Sequence, residues 1–228
     1  MTKKKFAAYG HVFDAGTLRT LFSLSGQGAF DDLESPIAVG KESHVFTARF
    51  GGGHRCVKVY RLSANFKQMH AYMHADPRFS HIKGTKLTVI YAWAMKEYRN
   101  LLRARTAGVS VPTPYAVRKN VLVMEYFPAP LLLYKPPKNP RTFYNDLRMN
   151  LQKLLGAGLV HADFSEYNIL NDRERPVLID FSHAVDLQHP MAEGYFQRDV
   201  KNMVNFFSKQ GLSLNEHEEG VKLWKHRK

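Results

Sequence analysis

The segment LVHADFSEYNIL (residues 159–170) is followed by a turn and then by VLID (177–180). An apolar run broken by glycine, LLGAGLV, precedes it, so His161, Asp163, Glu166 and Asn168 sit at the end of a hydrophobic stretch. Asp180 ends a second one. Polar side chains at strand ends are costly to half-bury, and they usually persist because they bind something. Asn168 stands five positions after Asp163 and Asp180 seventeen after it. The intervening NILNDRERPVLID reads as a hairpin, which folds Asp180 back beside the loop that carries Asp163 and Asn168. Two carboxylates and a carboxamide then converge. These are hard oxygen donors of the kind Mg²⁺ accepts together with substrate phosphates. The order D-x-x-x-x-N, then a strand ending in Asp, matches the kinase plan, with one Asp on the acceptor and an Asn and a second Asp on metal.

Phosphoryl transfer also needs a cation on the nucleotide phosphates, held by an acid. Lys58 in CVKVY lies on a predicted central strand, where a lysine between Val57 and Val59 would be expensive without a partner. Glu97 in AMKEYRN, on the following predicted helix, is the acid available to it.

The remaining chain supports one two-lobed domain. FDAGTLRTLFSLSGQG reads as a short helix capped by Asp14 and closed by Gly26 and Gly28. PIAVGKESHVFTARF and HRCVKVYRL are β-rich runs separated by Gly51, Gly52 and Gly53. Residues 63–88, polar and broken by Pro77 and Gly84, read as a long flexible insertion carrying Ser63, Ser80, Thr85 and Thr88. TVIYAWAMKEYRNLLRARTAG has a helical period, and VPTPYAVRKNVLVMEYF reads as two strands about Lys119 and Asn120. The Pro-rich FPAPLLLYKPPKNP is an extended connector. Beyond it come a helix, TFYNDLRMNLQKLLGAG, the hairpin, and a closing helix in HPMAEGYFQRDVKNMVNFFSKQG. A β-rich first half and a helical second half give an α+β arrangement with the connector as hinge.

Composition narrows the partners. Lys and Arg number 33 against 20 Asp and Glu, a net charge of +13, which favours polyanions such as nucleic acid or nucleotide phosphates. The terminal KLWKHRK reads as a solvated tail. The one cysteine, Cys56, excludes an internal disulfide and a thiolate zinc site, and reads as a small buried hydrophobe. No apolar run is long enough to span a bilayer, so a soluble, cytoplasmic protein with no membrane partner is expected.

The chain resembles the RIO family of atypical serine/threonine protein kinases, in its Rio-one-like branch. The resemblance rests on VGKESHVFTA, VKVY, WAMKEYRNLLRARTAGVSVPTP, VLVMEYF, PAPLL, LVHADFSEYNIL and LIDFSHAVDLQHP, which follow in family order from about residue 13 to residue 208. It implies a two-lobed protein-kinase-like fold. Residues 1–35 would be an N-terminal tail and short helix packing on the core, 36–127 a β-rich N-lobe with the insertion 63–88, and 128–228 a mainly helical C-lobe. It further implies ATP and Mg²⁺ as cofactors, with Mn²⁺ as a substitute, and work in small ribosomal subunit maturation on an rRNA-rich precursor. Asp163 would accept the hydroxyl proton, or the phosphate itself if the protein acts as an ATPase. Asn168 and Asp180 would hold the metal. Lys58, paired with Glu97, would contact the α- and β-phosphates. Gly40, Lys41 and Ser43 would cover them, and the backbone from Glu125 to Phe127, behind Met124, would meet adenine.

His161 would be a satisfied core histidine, Glu166 lies outside the catalytic set, and Phe164, Tyr167 and Phe181 would be packing residues. Two departures from ordinary protein kinases stand out. IAVGKESHVF offers one glycine where GxGxxG is usual, and FSHAV follows Asp180 with no peptide-clamping activation segment before the closing helix. The competing readings are a small-molecule phosphotransferase of the aminoglycoside or choline kinase type, which shares a His-x-Asp-x₄-Asn loop, and a non-enzymatic RNA-binding pseudokinase. The basic C-terminal half disfavours the first, since a cationic acceptor needs acidic surroundings. The presence of Lys58, Asp163, Asn168 and Asp180 together disfavours the second.

Overall fold

The structure, a computed structural model, describes residues 12–79, 81–82 and 85–227. The chain divides into two compact units. One takes residues up to Met73, His81–Tyr98 and Thr113–Tyr126, and the other takes His74–Ser80, Arg99–Pro112 and Phe127 onward.

The first unit is built on five antiparallel strands, β1 (Asp32–Val39), β2 (Ser43–Phe50), β3 (Gly53–Tyr60), β4 (Pro114–Arg118) and β5 (Val121–Glu125), in the order β1-β2-β3-β5-β4. The run PIAVGKESHVFTARF thus contains two strands, β1 and β2, turning at residues 40–42. Helix α1 (Ala15–Gly26) starts where expected. The Asp14 carboxylate accepts from the amides of Gly16 (2.8 Å) and Thr17 (3.0 Å), two donors that have no partner inside the helix. Leu21 and Leu24 of α1 pack with Phe30, Leu33, Phe46, Ala48, Val57, Val59, Val121 and Val123 in one core. Leu21 is fully buried there, so Leu21→Ala is expected to cost about 2–5 kcal/mol of stability, read as a lowered urea midpoint at unchanged slope.

The last five residues of β3 are all buried, so that strand is covered on both faces. Val57 and Val59 belong to the α1 core. By the two-residue period of a strand, Lys58 and Tyr60 therefore turn to the opposite face. There lies the first part of α3 (Lys86–Thr106), which carries Glu97.

The reading of residues 63–88 as an insertion without regular structure is corrected. They contain a helix, α2 (Phe66–His74), and α3 already begins at Lys86. Met69 and Met73, one helical turn apart, are buried, and so are Ala64 and Phe79. Apolar anchors at helical spacing outweigh the polar composition. Ser80, one of the hydroxyl residues of this segment, lies outside the described residues, as do Lys83 and Gly84.

The second unit holds α4 (Pro140–Gly156), β6 (Leu159–Val160), β7 (Ile169–Asp172), β8 (Arg175–Leu178), β9 (Val185–Asp186), α5 (Ala192–Lys209) and α6 (Glu216–Trp224). Strands β7 and β8 form the expected hairpin, and β6 pairs with β9. Only residues 187–191 separate β9 from α5, which leaves no room for a long activation segment. The end of α3 is tied into this unit. Asn100 Nδ2 donates to the carbonyls of Phe181 (3.0 Å) and Ala184 (2.9 Å), and Arg103 pairs with Asp186 at 2.7 Å.

The chain's end is likewise corrected from a solvated tail to a docked helix. Asn215 caps α6, Leu223 is buried, and Trp224 stacks on Phe196 of α5. Glu219 accepts from the Tyr144 hydroxyl (2.7 Å) and pairs with Arg148 (2.9 Å). No described helix is long and apolar enough to cross a membrane.

Candidate active site

In the first unit, Lys58 Nζ lies 2.9 Å from Glu97 Oε1, and both side chains are buried. The strand lysine thus has the acid expected for it, across thirty-nine positions of sequence. The second Glu97 oxygen accepts from the hydroxyl of Tyr60. Gly40, Lys41 and Ser43 lie at the β1–β2 turn. The Gly40 amide donates to the Ser43 carbonyl at 2.8 Å, and Arg61 braces the turn through the Glu42 carbonyl (2.8 Å). A Cβ on Gly40 would stand 3.3 Å from the Ser43 carbonyl oxygen, so the turn favours glycine through tight space.

Met124 pairs with Cys56 on the neighbouring strand and is buried. The Glu125 carboxylate is engaged by the Thr113 amide (3.0 Å) and hydroxyl (2.7 Å), so it is turned along the sheet. Phe127 belongs to the second unit. Burial pushes the Cys56 thiol up to about 12, so this cysteine is an inert hydrophobe as expected.

In the second unit, the loop between β6 and β7 brings Asp163 and Asn168 together. Asn168 Nδ2 donates to the Asp163 carbonyl (2.7 Å) and to its carboxylate (2.9 Å). This fixes the amide orientation, so that Asn168 Oδ1 is the atom that a bound cation would meet. The Ile179 amide donates to the Asn168 carbonyl at 3.0 Å, which draws Asp180 to the same place. Asp180 Oδ1 accepts from the Ser182 hydroxyl at 2.7 Å. Among the described residues no group of three His, Cys, Asp or Glu side chains could hold a metal. A set of one carboxylate and one amide oxygen fits Mg²⁺, which keeps most of its ligands as water and phosphate oxygen.

The loop is held in a strained shape. Ala162 and Asp180 both have positive φ, 63° and 60°. That region is tolerable for Asp, but unusual for Ala. At Ala162 the strain is supported from α5: Asp199 accepts from the amides of Ala162 (2.7 Å) and Phe164 (3.1 Å), while the Arg198 guanidinium donates to the Ala162 carbonyl. Asn202 Nδ2 donates to the Phe164 carbonyl at 2.9 Å. Burial raises the Asp199 carboxyl to about 7, against the two amides and Arg198, which act the other way.

His161 is the core histidine expected. It is buried between the rings of Phe164 and Phe181, its Nε2 lies 3.1 Å from the Ile179 carbonyl, and burial holds its pKa down, so it is neutral. Phe164 and Phe181 are buried, but Tyr167 is exposed, which corrects its reading as a packing residue.

Sequence reasoning missed Tyr60, Ser182, Arg198 and Asp199. Two signals were present. Tyr60 follows Lys58 by two positions on one strand, and Asp199 interrupts an apolar helical stripe made by Phe196, Val200, Met203, Val204 and Phe207.

The family model described as RIO domain matches residues 44–220. The chain is 42% identical to the RIO-type serine/threonine-protein kinase Rio1 of Haloferax volcanii, over 92% of this chain and 75% of that protein. It is 40% identical to Rio1 of Methanocaldococcus jannaschii, over 90% of this chain and 72% of that protein. It is 32% identical to human RIO1, over 91% of this chain but only 39% of that longer protein. Among solved structures, the Rio2 kinase from Chaetomium thermophilum matches with a TM-score of 0.74 and 25% identity, over 94% of this chain and 69% of that one. Its ADP/Mg²⁺-phosphoaspartate complex matches with the same TM-score at 27% identity, over 94% and 68%. The fold is the two-lobed RIO kinase fold. The chain belongs to the RIO family of atypical serine/threonine protein kinases, in its Rio1-like branch.

Proposed function

We propose that the protein binds Mg-ATP and transfers its γ-phosphoryl group, either to a serine or threonine hydroxyl or to its own Asp163. The observation that carries this reading is the joined set Asp163, Asn168 and Asp180, in which the Asn168 side-chain amide donates to the Asp163 carboxylate and the Ile179 amide, next to Asp180, donates to the Asn168 carbonyl. Lys58, fixed by Glu97, contacts the α- and β-phosphates. The turn of Gly40, Lys41 and Ser43 covers them, and the backbone of Glu125 to Phe127, behind Met124, receives adenine. Asn168 and Asp180 would hold Mg²⁺, or Mn²⁺ in its place, and the cation would supply charge neutralisation at the phosphates.

With a hydroxyl acceptor, Asp163 takes the hydroxyl proton as the oxygen–phosphorus bond forms and the bond to the β-phosphate oxygen breaks. With no acceptor docked, an Asp163 carboxylate oxygen takes the phosphoryl group itself, ADP leaves, and water hydrolyses the acyl phosphate, so that the net reaction is ATP hydrolysis. The phosphoaspartate named for the Rio2 complex supports this second route. The short passage from β9 to α5 supports a large docked acceptor over a clamped peptide. The charge of +13 supports an rRNA-rich partner, the small ribosomal subunit precursor in the cytoplasm.

Mg-ATP at about a hundred times its Kd is expected to stabilise the fold by on the order of 2–3 kcal/mol. A thermal melt checks this, and a melt unmoved by millimolar Mg-ATP would refute nucleotide binding. Incubation with γ-labelled ATP, with and without small ribosomal subunits, then separates self-labelling, phosphate release and subunit-stimulated turnover.

A further inference from the structure

Glu97 makes two polar contacts to β3, not one. Its Oε1 meets Lys58 Nζ at 2.9 Å, and its Oε2 accepts from the Tyr60 hydroxyl. Lys58, Tyr60 and Glu97 are all buried, and the Lys58 ammonium stands 5.2 Å from the centre of the Tyr60 ring. A buried carboxylate is stable in one rotamer only when both oxygens find donors, and Tyr60 supplies the second. The tyrosine is itself anchored. Its amide donates to the Asn120 carbonyl at 2.8 Å, and its carbonyl accepts from Asn120 Nδ2 at 2.9 Å. The same Asn120 amide donates to Thr17 of α1 at 2.9 Å. A chain of hydrogen bonds thus runs from α1 through the β4–β5 turn to Tyr60, Glu97 and Lys58.

We propose that Tyr60 is a positioning residue for phosphoryl transfer: its hydroxyl holds Glu97 in the rotamer that presents the Lys58 ammonium to the nucleotide phosphates. This rests on the kinase reading above. Tyr60→Phe keeps the ring and its packing and removes only the donor. Without it Glu97 gains freedom to turn, and Lys58 loses its fixed partner position.

Titration calorimetry with Mg-ATP tests this in two backgrounds. In the wild-type background Tyr60→Phe is expected to weaken binding by about tenfold, the scale of one hydrogen bond to a charged group. In a Lys58→Met background the same change should weaken it by less than about twofold, because a residue acting through Lys58 has nothing left to act on. Equal losses in both backgrounds, or none in the wild type, would overturn the proposal.

A second measurement needs neither nucleotide nor the Lys58→Met variant. Acetylation of Lys58 by sulfo-NHS-acetate in the nucleotide-free protein, followed by mass spectrometry, should run several-fold faster in Tyr60→Phe at temperatures where both proteins are folded. An unchanged rate would equally sink the idea. If wild-type protein binds no Mg-ATP, the kinase reading fails and the labelling rates alone judge Tyr60.

Discussion

Asp163→Ala is expected to reduce phosphoryl transfer by about a thousandfold, the range of general-base removal, while Mg-ATP affinity changes by less than about threefold. The carboxylate is exposed, and among the described residues it accepts a side-chain hydrogen bond from Asn168 Nδ2. That amide keeps its bond to the Asp163 backbone carbonyl at 2.7 Å in the variant, so Asn168 stays oriented. Asp180 should behave differently. Asp180→Asn tolerates the left-handed backbone at that position and keeps an acceptor for Ser182, but it removes the negative charge from the metal side. Both turnover and Mg²⁺-dependent nucleotide affinity should fall, each by at least about tenfold. Calorimetry with and without Mg²⁺, beside a γ-labelled ATP assay, reads both variants. Matching binding defects in the two would show that the acceptor and metal roles are wrongly divided between Asp163 and Asp180.

Asp199 carries the second large effect, although it touches no reacting atom. Its two oxygens receive the amides of Ala162 and Phe164, which flank Asp163. Asp199→Asn puts an N–H donor against one of these amides and leaves it unpaired in the interior. The expected cost is about 2–4 kcal/mol of stability, with turnover lost as the Ala162 turn relaxes. The pH dependence carries a sign that can be checked. The Asp199 carboxyl stands at about 7 in the folded protein against an ordinary 3.8, because burial outweighs its donors. The folded state therefore holds this proton more tightly than the unfolded chain does. That contribution is fully present below about pH 4, is lost as pH rises to about 7, and is constant above. Urea unfolding across this window should show wild-type stability falling relative to Asp199→Asn. A difference that grows with pH in the opposite direction would contradict the assignment of the buried carboxyl as the proton holder.

Much of the site was legible in one dimension because its parts are local. Asp163 and Asn168 share one loop, and a hairpin returns Asp180 to them, so spacing and turn chemistry suffice. Asp14 before α1 was readable for the same reason, since a cap reaches only to the next few amides. The insertion misled because its composition is polar while its anchors, Met69 and Met73, are few and one turn apart. Helix α6 was hidden in a basic terminus for a similar reason: Trp224 docks on Phe196 of α5 and Glu219 on Tyr144 of α4, partners that lie far off in sequence.

By itself, then, the sequence determined most of the strands and helices, though not α2 or α6, together with the DxxxxN loop and its returning Asp180, and Lys58 on a covered strand. Periodicity, caps and turns act over a few residues, so they are written where they act. Only the tertiary structure decided that the Tyr60 hydroxyl meets Glu97 across thirty-seven positions, and that Asp199 holds the Ala162 amide from thirty-seven positions away. Those contacts depend on which helix face is pressed against which strand or loop. That outcome follows from burying the whole set of apolar side chains at once, and no short window contains it.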